Sequence, residues 1–249
     1  MSKLEDINKK MLLFYAQNIK GQAKFGDLCD IAWGLKEISQ NKGEDPKEIQ
    51  AIVDKLVRHS EGLFGNEDEE RRFAFNVLEV YANIGENNVF SPTEASRMLV
   101  NRQKLSPMLE SGDKFHAYAS GVVGLEDKDI AERYVNCVDK MCDEVDEIDY
   151  KGGLVIKNCG KIVSRYTDLA EKCNSVVNKI VDKIDTDSWG FEDRLNEAVE
   201  YCDKVIAKCD GKAKEEAKKM KAKCSNKNDD AGYQYEMSWH SHTTGGLEM

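Results

Sequence analysis

The sequence predicts an all-α fold, and more narrowly a right-handed α-solenoid of about five helix pairs behind a leading cap helix. Three observations carry this. The first is a ladder with a step of 42 or 43 residues. Val53-Asp54-Lys55-Leu56 recurs as Ser96-Arg97-Met98-Leu99, as Val138-Asp139-Lys140-Met141 and as Val181-Asp182-Lys183-Ile184. A fixed period of that size marks stacked structural repeats. The second is a companion ladder that begins 22 residues upstream of each block. The third is a set of cap signals that bracket both ladders.

The companion ladder has four columns. Ile31, Ala74, His116, Cys159 and Cys202 form the first, and Gly34, Val77, Ala119, Ile162 and Val205 the second. Leu35, Leu78, Ser120, Val163 and Ile206 form the third, and Ile38, Tyr81, Val123, Tyr166 and Cys209 the fourth. Offsets of 0, 3, 4 and 7 trace one face of an α-helix. Only Gly34, His116 and Ser120 break the apolar rule. The V-D-K blocks obey it too, with Ile52, Ala95, Cys137 and Ile180 just before the anchor column. Each repeat is therefore a helix A followed by a helix B, both apolar toward one seam.

Asp45-Pro46-Lys47-Glu48 and Ser91-Pro92-Thr93-Glu94 each give a capping residue, Pro at the first helical position and Glu at the third. Both stand where a B helix begins. Asn41-Lys42-Gly43 and Asn83-Ile84-Gly85 supply stops after A helices. The resulting assignment is a leading helix near 3–19, then A/B pairs at about 25–60, 67–103, 112–144, 150–185 and 189–224. The last B helix is rich in Lys, Ala and Glu, the polar outer face that a terminal repeat needs. The period stops at Ser225. Residues 225–249 are expected to form a disordered tail, in which Tyr233, Tyr235 and Trp239 are candidate anchors for docking.

Composition narrows the function. The formal charge of -10 argues against a nucleic-acid backbone as main partner. The balance is uneven, because the stretch 211–227 holds seven Lys and two Glu. No stretch approaches the roughly 20 apolar residues of a membrane span. The opening Met-Ser-Lys-Leu-Glu-Asp lacks the pattern of a secretory signal. The eight cysteines read as reduced thiols, so a cytoplasmic location is expected.

Two helices per unit with a period near 42 residues resemble the HEAT/armadillo class of α-solenoid, over residues 1–224. The resemblance implies that the B helices line a concave face and that this face binds protein segments. The B positions that would be exposed there are Asp54, Arg58, Arg97, Asn101, Asp139, Lys140, Asp143 and Asp182. The expected function is a non-enzymatic scaffold or adaptor for a protein or peptide partner, with no cofactor, no catalytic residue and no metal.

Other chemistry finds less support. Cys137 and Cys142 lie five apart and Cys202 and Cys209 seven apart, so neither makes a C-x-x-C knuckle. Cys209 or Cys224 with His240 and His242 fits no zinc finger by loop length. His116 and Ser120 form a polar notch, either a His-Ser site or a packed histidine with its nitrogen bonded. Gly152-Gly153 starts a helix and is no phosphate cradle by itself. A HEAT-like DNA glycosylase is the alternative enzyme reading. It calls for a basic concave face and aromatics, and Trp33 and Trp189 are the only tryptophans in the repeats. A third possibility is a solenoid that presents its aromatic C-terminal peptide.

Overall fold

The computed structural model describes residues 12, 13, 16, 24–40, 45–61, 63, 67–85, 90–109, 115, 124–146, 148, 151–186, 188 and 190–244, with side chains through 228. These residues form nine α-helices and two short 3-10 turns, with no strand among them. The helices are α1 (Phe25–Ser39), α2 (Pro46–Ser60), α3 (Glu67–Gly85), α4 (Pro92–Leu105), α5 (Lys128–Glu144), α6 (Lys151–Arg165), α7 (Ala170–Lys183), α8 (Phe191–Lys208) and α9 (Gly211–Thr244). Among the described residues, none of the helices is long and apolar enough to cross a membrane.

The expected pairs are present as α1/α2, α3/α4, α6/α7 and α8/α9, and α5 is the B helix of the middle pair. The A helix of that pair lies outside the described residues except Phe115, and so do His116 and Ser120. Of the leading segment, Leu12, Leu13 and Ala16 are helical. The last helix differs from expectation in length. Its backbone stays helical to Thr244, well past the point where the ladder stops.

The local reasons match the sequence signals. Asp45 caps α2, accepting from the Lys47 amide at 2.9 Å, with Pro46 at the first position. At α4 the capping box closes both ways: the Ser91 amide donates to Glu94 Oε2 at 2.7 Å, and the Glu94 amide donates to Ser91 Oγ at 3.3 Å. These bonds hold the Glu94 carboxyl below its usual pKa. Asp127 caps α5 through the amides of Asp129 and Ile130. Gly190 and Gly211 precede or open α8 and α9 with φ of +74° and +61°, a region that side-chain-bearing residues rarely adopt.

The chain divides into two compact units, Met1–Tyr134 and Val135–Met249, and the division falls within α5. In the first unit α1 packs along α3 and α2 along α4. Leu28, Leu35, Val53, Leu56, Phe73 and Leu78 are sealed in its core, and the Phe25 and Phe73 rings meet at 5.5 Å. In the second unit α6 packs along α8 and α7 along α9. Cys159, Ile162, Val163, Cys173, Val177 and Ile180 form that core. Each large aliphatic side chain so buried contributes about 2 kcal/mol of transfer free energy.

The four A-helix columns are buried wherever they are described, except for Gly34, Tyr166 and Ile206, which are half-buried. Gly34 broke the apolar rule for a packing reason. A Cβ there would lie 2.4 Å from Leu12 Cδ2, so the leading segment fills the space a side chain would take. Gly152 and Gly153 have a similar origin. A Cβ would meet Ile148 Cγ2 at 2.7 Å in the first case and Glu197 Oε2 at 2.2 Å in the second.

Candidate functional site

The aspartates of the repeat turn out to bind the following B helix. Asp54 on α2 receives Arg97 Nη1 at 3.5 Å and Asn101 Nδ2 at 2.8 Å, both from α4. Asp139 on α5 receives Ser175 Oγ and Lys179 Nζ from α7, each at 3.0 Å. Asp182 on α7 receives Lys223 from α9. The donors stand 36 to 47 residues downstream, about one repeat. Two further lysines add to this stapling, Lys183 of the repeat and Lys227 beyond it. Lys183 donates to the carbonyls of Cys142 and Val145 at the end of α5. Lys227 does the same for Val181 at 2.8 Å and Ile184 at 3.2 Å, at the end of α7. A cation on the last carbonyls of a helix satisfies acceptors that lack an intrahelical partner.

In the first unit this corrects two expected surface positions. Asp54 is 1 % exposed and Asn101 6 % exposed, so neither faces a partner. They form a buried polar cluster with Tyr81, whose hydroxyl donates to Asp54 Oδ1 at 2.7 Å and accepts from Asn101 Nδ2 at 2.8 Å. A carboxylate this deep requires such partners. Burial raises the Asp54 pKa above its ordinary value, and the Tyr81 hydrogen bond and Arg97 oppose that rise. Burial also holds the Tyr81 hydroxyl well above the usual phenol range, so it stays a donor. Arg58 and Arg97 are exposed as expected.

The second unit repeats the device with an amide, Asn174, in the place of the Asp54 carboxylate. Tyr201 on α8 donates to Asn174 Oδ1 on α7 at 2.8 Å. Tyrosine and acceptor are 27 residues apart in both clusters. The Asn174 amide also donates across to α9, to Ala213 O at 2.9 Å and Glu216 Oε2 at 3.2 Å.

Beside Asn174 lies a groove of about 690 Å³, wholly within the second unit. Three B helices line it. Val135, Asn136 and Asp139 come from α5, with Glu171, Lys172, Asn174, Ser175 and Asn178 from α7. Lys212, Glu216, Lys219, Met220 and Lys223 come from α9. Cross-links hold the walls: Lys172 Nζ reaches Asn136 Oδ1 at 3.4 Å, and Lys212 Nζ reaches Glu171 Oε2 at 3.0 Å. Lys223 Nζ reaches Asn178 Oδ1 at 3.2 Å. Of the expected site residues, Asp139 alone lines the groove. Asp143 and Asp182 are exposed but engaged, by Lys179 at 2.8 Å and by Lys223, while Lys140 is exposed. Tyr233, Tyr235 and Trp239 lie on the helical backbone of α9, and their side chains fall outside the described atoms.

Sequence reasoning passed over Asn174, Glu171 and the α9 lysines. The α9 lysines carried a usable signal, since Lys212, Lys219 and Lys223 recur at offsets 0, 7 and 11 on one helix face. The eight cysteines form no disulfide, and all but Cys137 are buried. Burial pushes the thiols of Cys29 up to about 11 and of Cys142 and Cys202 up to about 12, which keeps them protonated and unreactive at neutral pH. Trp33 is exposed on α1, and Trp189 lies outside the described residues.

No family model and no curated protein matches this chain. Among solved structures, a chain described as "Computational Design of Self-Assembling Cyclic Protein Homooligomers" is similar over 94% of this chain and 99% of its own, at 12% identity and a TM-score of 0.31. A likeness at that level carries no argument about fold or function.

Proposed function

We propose that this chain is a non-enzymatic, cytoplasmic interaction scaffold whose helix pairs are units of a right-handed HEAT-like solenoid. The B-helix face of the second unit docks a protein or peptide segment. The stacking of A on A and B on B within each unit supports the repeat reading. The observation that carries the function is the groove. It spans three B helices and is large enough for a few side chains of a bound segment. Its walls offer amide, hydroxyl, carboxylate and ammonium groups, which suit recognition of a polar segment.

Panning a random peptide-display library on the whole chain tests the reading. Ser175 is exposed on the groove wall, so Ser175→Trp fills the groove. Peptides enriched on the parent chain and lost on the Ser175→Trp variant are expected. Equal enrichment on both chains would sink the docking proposal.

A further inference from the structure

Resting on that docking reading, we propose that the occupant of the groove is an extended, carboxylate-bearing peptide segment of another protein, seated with one carboxylate on Lys219. Most charges of the groove are already engaged within the protein. The groove is lined by four lysines and three acids. Lys212 is held by Glu171 at 3.0 Å and by Glu216 at 3.6 Å. Lys223 is held by Asp182 and Asn178, and Lys172 by Asn136. Lys219 lies between Lys212 and Lys223 on the same face of α9. It is exposed and has no hydrogen bond or close ion pair with another described residue; its charge acts on Glu215, four residues back on the same helix and outside the groove lining. It is the cation of this groove left over for a ligand, within a stretch of seven Lys against two Glu in a chain of net charge -10.

The kind of anion follows from the rest of the lining. Asp139, Glu171 and Glu216 in the same walls repel a dianion more than a singly charged carboxylate. An extended backbone fits the opposite wall through the capacity that internal bonds leave there: Asn136, whose Oδ1 accepts from Lys172, still offers its Nδ2 as a donor, and the Ser175 hydroxyl, which donates to Asp139, still offers its oxygen as an acceptor. The occupant is not the rest of α9 itself. That helix runs unbroken from Gly211 to Thr244, so the residues after the groove continue along the helix axis.

The experiment extends the panning. Enriched clones are synthesised with a fluorescein label and titrated by anisotropy against the whole parent chain and against Lys219→Gln, Ser175→Trp and Asn136→Trp. Melting curves establish that each variant is folded, and the two tryptophan variants block the groove from opposite walls. The expected result is that clones are rich in Asp and Glu, lose binding on both blocked variants and weaken about fivefold on Lys219→Gln, the scale of one exposed ion pair. Replacing the clone's own acids with amides weakens binding likewise. Clones that need the open groove but ignore Lys219→Gln and their own acids overturn this inference and leave the docking reading standing. Clones indifferent to both blocked variants overturn the two together.

Discussion

Asp54 shows how a residue can repeat in sequence and yet change its job. The V-D-K column suggested three aspartates facing a partner. The structure buries Asp54 beneath Tyr81 and Asn101 and engages Asp139 and Asp182 with the next B helix. Spacing made the column legible, but exposure depends on what packs above it, and the apolar period of α2 says nothing of that. Removing Asp54 takes away the acceptor of the buried Tyr81 hydroxyl and one of the two acceptors of the Asn101 amide. Asp54→Ala is therefore expected to lower stability by about 2–4 kcal/mol in denaturant unfolding. Asp54→Asn keeps an oxygen where Tyr81 and Asn101 donate, and costs less. It also separates charge from hydrogen bonding. Burial raises the folded pKa of Asp54 above its unfolded value, so the folded chain holds a proton that the unfolded chain has released. Stability from this group is full below the unfolded pKa, about 3.9, and is lost as pH rises through the raised folded pKa. The Asp54→Asn variant lacks that titration. Relative to the parent, it should thus gain stability between acid and neutral pH, read as the difference between the two unfolding midpoints across a pH series. A flat difference would mean that Arg97 and the hydrogen bonds fully offset the burial.

Helix ends were the most legible elements and helix neighbours the least. Asp45-Pro46 and Ser91-Pro92-Thr93-Glu94 announced α2 and α4 because capping is local chemistry, decided within four residues. Ser91→Ala should cost about 1 kcal/mol for the same reason. The far ends of α5 and α7 were not legible, since their caps come from another helix. Lys183 and Lys227 reach back about one repeat to carbonyls of the preceding B helix. Lys227 contacts three carbonyl oxygens, those of Val181, Asp182 and Ile184. Lys227→Met keeps much of the stem and removes the donors, so the end of α7 should fray. The expected loss is about 1 kcal/mol. Hydrogen exchange should localise it to the amides near Ile184, and unchanged protection there would assign Lys227 to the surface alone. The groove was hidden for a related reason. It is made where α5, α7 and α9 come side by side, and no one helix shows it.

On the scale of the whole chain, the all-α class was legible because apolar period is a property of every helix at once. Charge distribution was legible too, and it sets a test that no single residue can. The chain carries -10 overall, yet its stretch 211–227 is basic. An acidic segment approaching the groove feels both fields, and they have different ranges. At about 0.01 M salt the Debye length is about 30 Å, so the excess negative charge of the whole molecule acts on the segment and opposes binding. At about 0.15 M it falls to about 8 Å, and the distant carboxylates are screened while Lys219, in contact, is screened less. At about 1 M the contact itself weakens. Affinity for an acidic clone should therefore pass through a maximum at intermediate salt, measured by anisotropy from about 0.01 to 1 M. Its amide counterpart should show no such maximum. A monotonic loss of affinity from the lowest salt upward would mean that the lysines of α9 outweigh the rest of the chain at every range, and that steering as well as seating is local to the groove.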